Sequence, residues 1–124
     1  MTELKKITRA ELMGVIGDHM GMLEQHENGR RADLSFRDLS DEDLSSLNFS
    51  MADFSGASLQ RALLGATNFT RATLLGADLR VANLRRANMT HCDLRGACLR
   101  GADLSDAVMI DADLREGTLS WHTG

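Results

Sequence analysis

The stretch Ala77-Asp78-Leu79-Arg80-Val81-Ala82-Asn83-Leu84-Arg85-Arg86-Ala87-Asn88-Met89 places a small residue, an Asp or Asn, and a large apolar residue in the same order every five positions. Followed outward in both directions, the large apolar position recurs at every fifth residue from Leu34 to Leu119. All eighteen of these centres are Leu, Phe or Met, with no insertion between them. Five residues of α-helix advance about 500°, so the series drifts about 140° per repeat and forms no stripe. In a flat strand, an odd spacing sends successive residues to opposite faces. The centres share one interior only if the chain turns a corner about once per pentad. The fold class is therefore an all-β solenoid.

The flanking positions agree. Two residues before the centre stands Ala in twelve pentads, with Thr67, Cys92 and Gly117 as other small residues in that slot. Positions two apart face the same way on extended chain, so the small and large residues both point inward and fill a narrow tube. Between them, twelve of the eighteen residues are Asp or Asn, side chains that satisfy backbone groups at turns. A longer period underlies the pentad. Phe49, Phe69, Met89 and Met109 lie twenty residues apart, which predicts four pentads per turn and one stacked core column.

The A-(D/N)-L-x-x run, as in Ala77-Asp78-Leu79-Arg80-Val81 and Ala82-Asn83-Leu84-Arg85-Arg86, resembles the pentapeptide-repeat family. The resemblance covers residues 32 to about 121. It implies a right-handed quadrilateral β-helix, in which eighteen pentads make about four and a half coils; the different character of the preceding residues points to an N-terminal α-helical cap. Residues 1–29 are expected to form that cap and residues 30–124 the β-helix, as one structural domain.

Within the first segment, Thr8-Arg9-Ala10-Glu11 reads as a capping box, with Thr8 as N-cap, and Ile7 and Leu12 are placed as a hydrophobic staple. Asn28-Gly29 is expected to stop the helix. Leu12, Val15, Ile16, His19 and Leu23 fall on one helical face, with His26 on the same apolar side, and Ala10, Gly14, Gly17 and Gly21 form a small-residue row opposite. Solenoid ends need covering, because an open coil offers unpaired edges and apolar core. Arg37, Glu42 and Leu47 replace alanine in the first coil and are expected to reach toward the helix, with Arg37 and Glu42 pairing. Phe36 and Met51 are expected beneath the helix as well.

Charge and composition narrow the function. The chain has 124 residues, net charge −4, no proline, no tyrosine and one tryptophan. No apolar run resembles a signal peptide or a membrane span, so a bacterial-type soluble cytoplasmic protein without membrane contact is expected. Cys92 occupies an inward slot and Cys98 an outward one, which disfavours a disulfide between them. No phosphate loop or metal-ligand cluster occurs, and the regular aspartates and serines belong to the repeat. No cofactor, metal or catalytic residue is therefore assigned, and the chain is expected not to be an enzyme.

Two outward features stand apart from the repeat. Arg80, Arg85, Arg86, Arg95 and Arg100 cluster in the later coils as a candidate anion or partner patch. Val108, Ile110 and Trp121 present apolar side chains near the C-terminal end as a candidate interface. The leading expectation is a scaffold that binds a protein partner of unknown identity and self-associates as a homodimer through its C-terminal coil. Dimerisation through that end is what the family resemblance implies.

A second expectation, implied by one branch of the family, is a DNA-mimicking inhibitor of DNA gyrase or topoisomerase of the quinolone-resistance type. The arginine belt counts against it by interrupting an acidic track. Anion or nucleic-acid binding at the belt is a weaker alternative, since nucleic-acid recognition favours a net basic surface with aromatic residues.

Overall fold

The computed structural model describes residues 3–117. From residue 32 onward the chain winds with twenty residues per turn. Thirteen isolated parallel bridges among the described residues join residue i to residue i+20, from Asp33↔Asp53 to Asp93↔Asp113. The bridged residue is always the one before the apolar centre, so each pentad supplies one short side of the coil and one corner.

The corner chemistry is uniform. Within the Phe49-Ser50-Met51-Ala52 corner, the Ala52 N–H donates to the Phe49 carbonyl at 3.0 Å. Met51, between them, has φ 66°. All sixteen residues in that corner position, from Phe36 to Asp111, have φ between 55° and 75°, as the third residue of a type II turn does. Only four of them are glycine. An L-residue there costs roughly 1–2 kcal/mol, so neighbouring bonds must hold the corner. Two kinds do so. The Met51 N–H donates to the Thr70 carbonyl of the next coil at 2.9 Å. Each of the twelve Asp and Asn residues before a centre also accepts, through Oδ1, the N–H two residues ahead at 2.9–3.1 Å.

The core consists of the centres and their small companions. Every centre from Leu34 to Leu94 is at most 1% exposed. Phe49 and Phe69 stack with centroids 6.3 Å apart, and Phe54 meets both edge-on at 5.1 and 5.5 Å. Met89 continues that column fully buried, whereas Met109 is half-buried. In the alanine slot, Thr67 is buried because its hydroxyl donates to the Leu44 carbonyl at 2.9 Å.

Ahead of the coil lie β1 (Lys5–Lys6) and α1 (Arg9–Leu23), and β1 pairs in parallel with β2 (Arg37–Asp38). The Ile7 N–H donates to the Asp38 carbonyl at 3.1 Å. Ile7, 3% exposed, thereby takes a centre's position ahead of Leu39. Thr8 caps α1 with both halves of the capping box: its hydroxyl accepts from Glu11 N, and Glu11 Oε1 accepts from Thr8 N at 3.2 Å.

Four details of the cap depart from the sequence reading. First, α1 ends at Leu23, before Asn28-Gly29, because Gln25 adopts φ 62° and starts a Schellman closure. In that closure His26 N donates to Gly21 O at 2.8 Å and Gln25 N donates to Met22 O at 3.0 Å. His26 consequently lies beyond the helix, exposed beside Glu24 at 3.4 Å. Second, Arg37 and Glu42 do not pair with each other. Arg37 binds the Glu11 carboxylate at 3.1 Å, and Glu42 faces Lys6 at 3.4 Å, so both tie the first coil to the cap. Third, Phe36 and Met51 are 39% and 40% exposed rather than covered, with Phe36 lying over Gly56 of the next coil. Fourth, Gly21 does not share the open face of Gly14 and Gly17. It packs against Gly29.

His19 anchors α1. It is 1% exposed, its Nδ1 accepts the Ala32 N–H at 2.9 Å, and its ring lies 6.0 Å from Phe49 at the head of the aromatic column. The proton therefore sits on Nε2, which is buried without a hydrogen bond of normal geometry. Burial pushes the pKa of His19 below the ordinary value, the nearby Ser50 carbonyl opposes this, and the charge of Arg31 adds to it. A histidine lowered in the folded state contributes stability that is complete above its unfolded pKa of about 6.5 and is lost as pH falls below that. Stability measured by urea unfolding is expected to fall between pH 7.5 and 5, by at most about 1.4 kcal/mol per pH unit. In His19→Asn, whose Oδ1 replaces the Nδ1 acceptor, this slope should be much reduced; an equal slope would assign the loss to other groups. The carboxylates act in a lower window. Arg37 holds Glu11 down at about 2, so its contribution persists until the pH drops below the usual carboxylate range.

Candidate functional site

Because Asp/Asn and corner residues point outward, the wall of the coil presents its polar and charged groups to the outside. The twenty-residue register decides which of these residues meet. Arg80 and Arg100 occupy one corner in successive coils, Arg85 and Arg86 the next, and Arg95 shares a third corner with Arg115. The five arginines of the candidate patch are thus spread around three corners of the coil and do not converge on one surface.

Most of them are also occupied. Arg80 binds Asp78 at 2.7 Å, Arg95 binds Asp93 at 2.8 Å and reaches Asp113 at 4.0 Å, and Arg85 faces Asp103 at 3.7 Å. Partial burial pushes the Asp78 carboxyl up, but the hydrogen bonds and charge of Arg80 outweigh it, and the pKa is lowered. The Arg95 hydrogen bonds likewise lower Asp93. Arg115 holds Asp113 down at about 2. Arg86 and Arg100 form no ion pair among the described residues, although the charge of Arg100 acts on Asp78. Asp78–Arg80 and Asp93–Arg95 each join the acid before a centre to the arginine after it, two positions that share one face of the strand.

At the C-terminal end the coil changes character. Val108, Ile110 and Leu114 are 41%, 62% and 56% exposed, and the centres Leu99, Leu104 and Met109 are only half-buried. The N–H groups of Asp106, Met109 and Asp111 find no backbone acceptor among the described residues. Val108 and Ile110 are held from the preceding coil, their carbonyls accepting from Met89 and His91 at 2.7 and 2.9 Å. Trp121, the third member of the candidate interface, lies outside the described residues.

No group of three or more His, Cys, Asp or Glu among the described residues is arranged to hold a metal ion. No described helix is long and apolar enough to cross a membrane. Both cysteines are free thiols. Burial pushes the Cys92 thiol up to about 12, which removes thiolate chemistry there at neutral pH. His91, one residue earlier, is exposed on the outside of the wall.

The model of the family described as pentapeptide repeats matches residues 30–65, 62–101 and 87–121, in eight copies. No curated protein sequence matches the chain. Among solved structures, a pentapeptide repeat protein (Rfr23) of the cyanobacterium Cyanothece 51142 is 34% identical over 68% of this chain and 57% of its own length, with a TM-score of 0.67. One from the thylakoid lumen of Arabidopsis thaliana is 31% identical over 67% of this chain and 58% of its own, with a TM-score of 0.64. HetL of Nostoc, a pentapeptide repeat protein involved in heterocyst differentiation regulation, is 34% identical over 67% of this chain and 43% of its own, with a TM-score of 0.55. The chain therefore spans about half the length of these solved relatives. With its pentads, twenty-residue register and capped corners, the chain belongs to the pentapeptide-repeat family, whose members fold as right-handed quadrilateral β-helices and are in general structural repeat proteins without enzymatic activity.

Proposed function

We propose that this chain is a non-enzymatic β-helical scaffold of about four and a half coils that self-associates as a homodimer through its C-terminal coil. The carrying observation is the contrast between the two ends of the core. Centres from Leu34 to Leu94 are at most 1% exposed, while Val108, Ile110 and Leu114 exceed 40%. Exposed apolar side chains, beside strand edges without a backbone partner among the described residues, favour association with a like surface. Light scattering is expected to give twice the monomer mass for the wild type and the monomer mass for Val108→Asp/Ile110→Asp, with unchanged circular dichroism. A wild-type monomer at high protein concentration would overturn the reading. A DNA-mimicking surface is not favoured, because Asp78, Asp93, Asp103 and Asp113 each face an arginine at 2.7–3.7 Å.

A further inference from the structure

The rim of the first coil is paired unevenly, and the later coils show what is missing. Leu63 lies one coil after Asp43. Its N–H donates to the Glu42 carbonyl at 2.9 Å, and its carbonyl accepts from Leu44 N at 2.8 Å. The Gly65 carbonyl accepts from Ser46 N at 2.9 Å. The corresponding groups of the first coil are the Asp43 N–H, the Asp43 carbonyl and the Ser45 carbonyl. None has a partner among the described residues.

A groove of about 520 Å³ runs beside this edge, between the rim and α1. Its apolar lining comes from Leu12, Met13 and Ile16 on the helix and from Leu44 and Leu47 on the coil. Met13 is 56% exposed. An unpaired strand edge beside an apolar groove has the two components of strand addition: main-chain hydrogen bonds give affinity and a pocket for alternate side chains gives selectivity.

The neighbouring side of the same rim shows what kind of segment fits. There, β1 lies parallel to Arg37–Asp38, with Ile7 N donating to Asp38 O at 3.1 Å and the Ile7 side chain turned into the core. Lys6 Nζ donates to Ser40 O at 2.8 Å, and its charge acts on Asp38. The chain then turns into α1 at Thr8, so no strand of its own continues onto the next side. Asp43 stands to that side as Asp38 stands to β1, and its carboxylate has no cationic partner among the described residues.

We propose that the Asp43–Ser45 rim is a strand-addition site for an extended segment of a partner protein. The segment runs parallel to the rim, with a lysine or arginine beside Asp43 and an apolar residue turned into the groove. This surface lies at the opposite end of the rod from the C-terminal coil, so the proposal stands independently of self-association.

The test uses the full chain, labelled with nitrogen-15, and a capped synthetic peptide copying residues 3–8, which carries the Lys-Lys-Ile pattern of β1. Saturable shifts centred on Asp43, Ser45 and Leu47, with slowed exchange of the Asp43 amide, are expected. Met13→Gln, which removes the apolar contact without adding charge, should weaken binding several-fold. A peptide with both lysines replaced by glutamate should also bind more weakly than the Lys-Lys peptide. Absence of shifts at millimolar peptide, unchanged affinity in Met13→Gln, or shifts centred on Arg37 and Asp38 from displacement of β1 would each overturn the proposal.

Discussion

Replacement of Phe69 by alanine is expected to cost about 3–5 kcal/mol, the range for removing a fully buried aromatic ring. Phe69 is 0% exposed, stacks on Phe49 and meets Phe54 edge-on. Removing the ring leaves a void between coils that are tied to their neighbours by parallel bridges in a fixed register, so collapse around it is restricted. The position carries a second consequence. Each coil of a solenoid contacts only its neighbours, so a weakened interface uncouples what lies on either side. Denaturant unfolding should show a lower midpoint together with a broadened or two-step transition, the mark of lost two-state behaviour. A cost below about 1 kcal/mol would mean that neighbouring side chains refill the space.

Gly29→Ala is expected to cost about 3 kcal/mol, at the upper end of overpacking penalties, and to release α1. A Cβ at Gly29 would lie 2.1 Å from Met22 N and 2.4 Å from Gly21 C. These are main-chain atoms, so no side chain can swing aside. The flanking bonds are those that seat the helix: Arg30 N to Asp18 O, and Ala32 N to His19 Nδ1, both at 2.9 Å. Hydrogen exchange should show protection lost across Arg9–Leu23 while the middle coils remain protected. Gly14→Ala is the matched control. A Cβ there meets nothing within 4 Å, so the substitution should stabilise the helix by up to about 1 kcal/mol. If Gly29→Ala leaves helix protection unchanged, the contact is not what holds the cap.

The repeat was legible because each pentad carries its whole structural instruction within five residues. Asn48 shows how local that instruction is, since its side chain holds the corner by accepting from Ser50 N two residues ahead. Asp78–Arg80 and Asp93–Arg95 are local in the same way, each pair spanning two positions of one pentad strand. The cap was read less completely. Thr8 and Glu11 announce the helix start, because a capping box is a four-residue signal. The helix stop at Gln25 carries no glycine to mark it. Lys5–Lys6 gives no strand pattern in two residues, and its partner lies 32 positions away. Arg37 looked like a partner for Glu42 because both replace alanine in the first coil and were expected to reach toward the helix, whereas its carboxylate is Glu11, brought alongside by docking of the helix.

The candidate surfaces divide on the same line. Arg80, Arg85, Arg86, Arg95 and Arg100 form a cluster in the sequence, and a four-sided coil distributes them over three corners. Nothing in residues 43–45 distinguishes that rim from later ones as a string of letters. Its groups stay unpaired among the described residues because β1 covers only the neighbouring side before the chain turns into a helix.

The sequence by itself determined the period, the inward and outward order of every pentad, and the chemistry of the corners, because each follows from contacts within about five residues or from a repeat that multiplies them. Tertiary structure alone decided where α1 docks, which acids pair with Arg37 and Lys6, which arginines meet, and which groups of the first rim stay unpaired among the described residues. Those outcomes depend on groups far apart in the chain, brought together only when the coil has closed and the cap has settled on it.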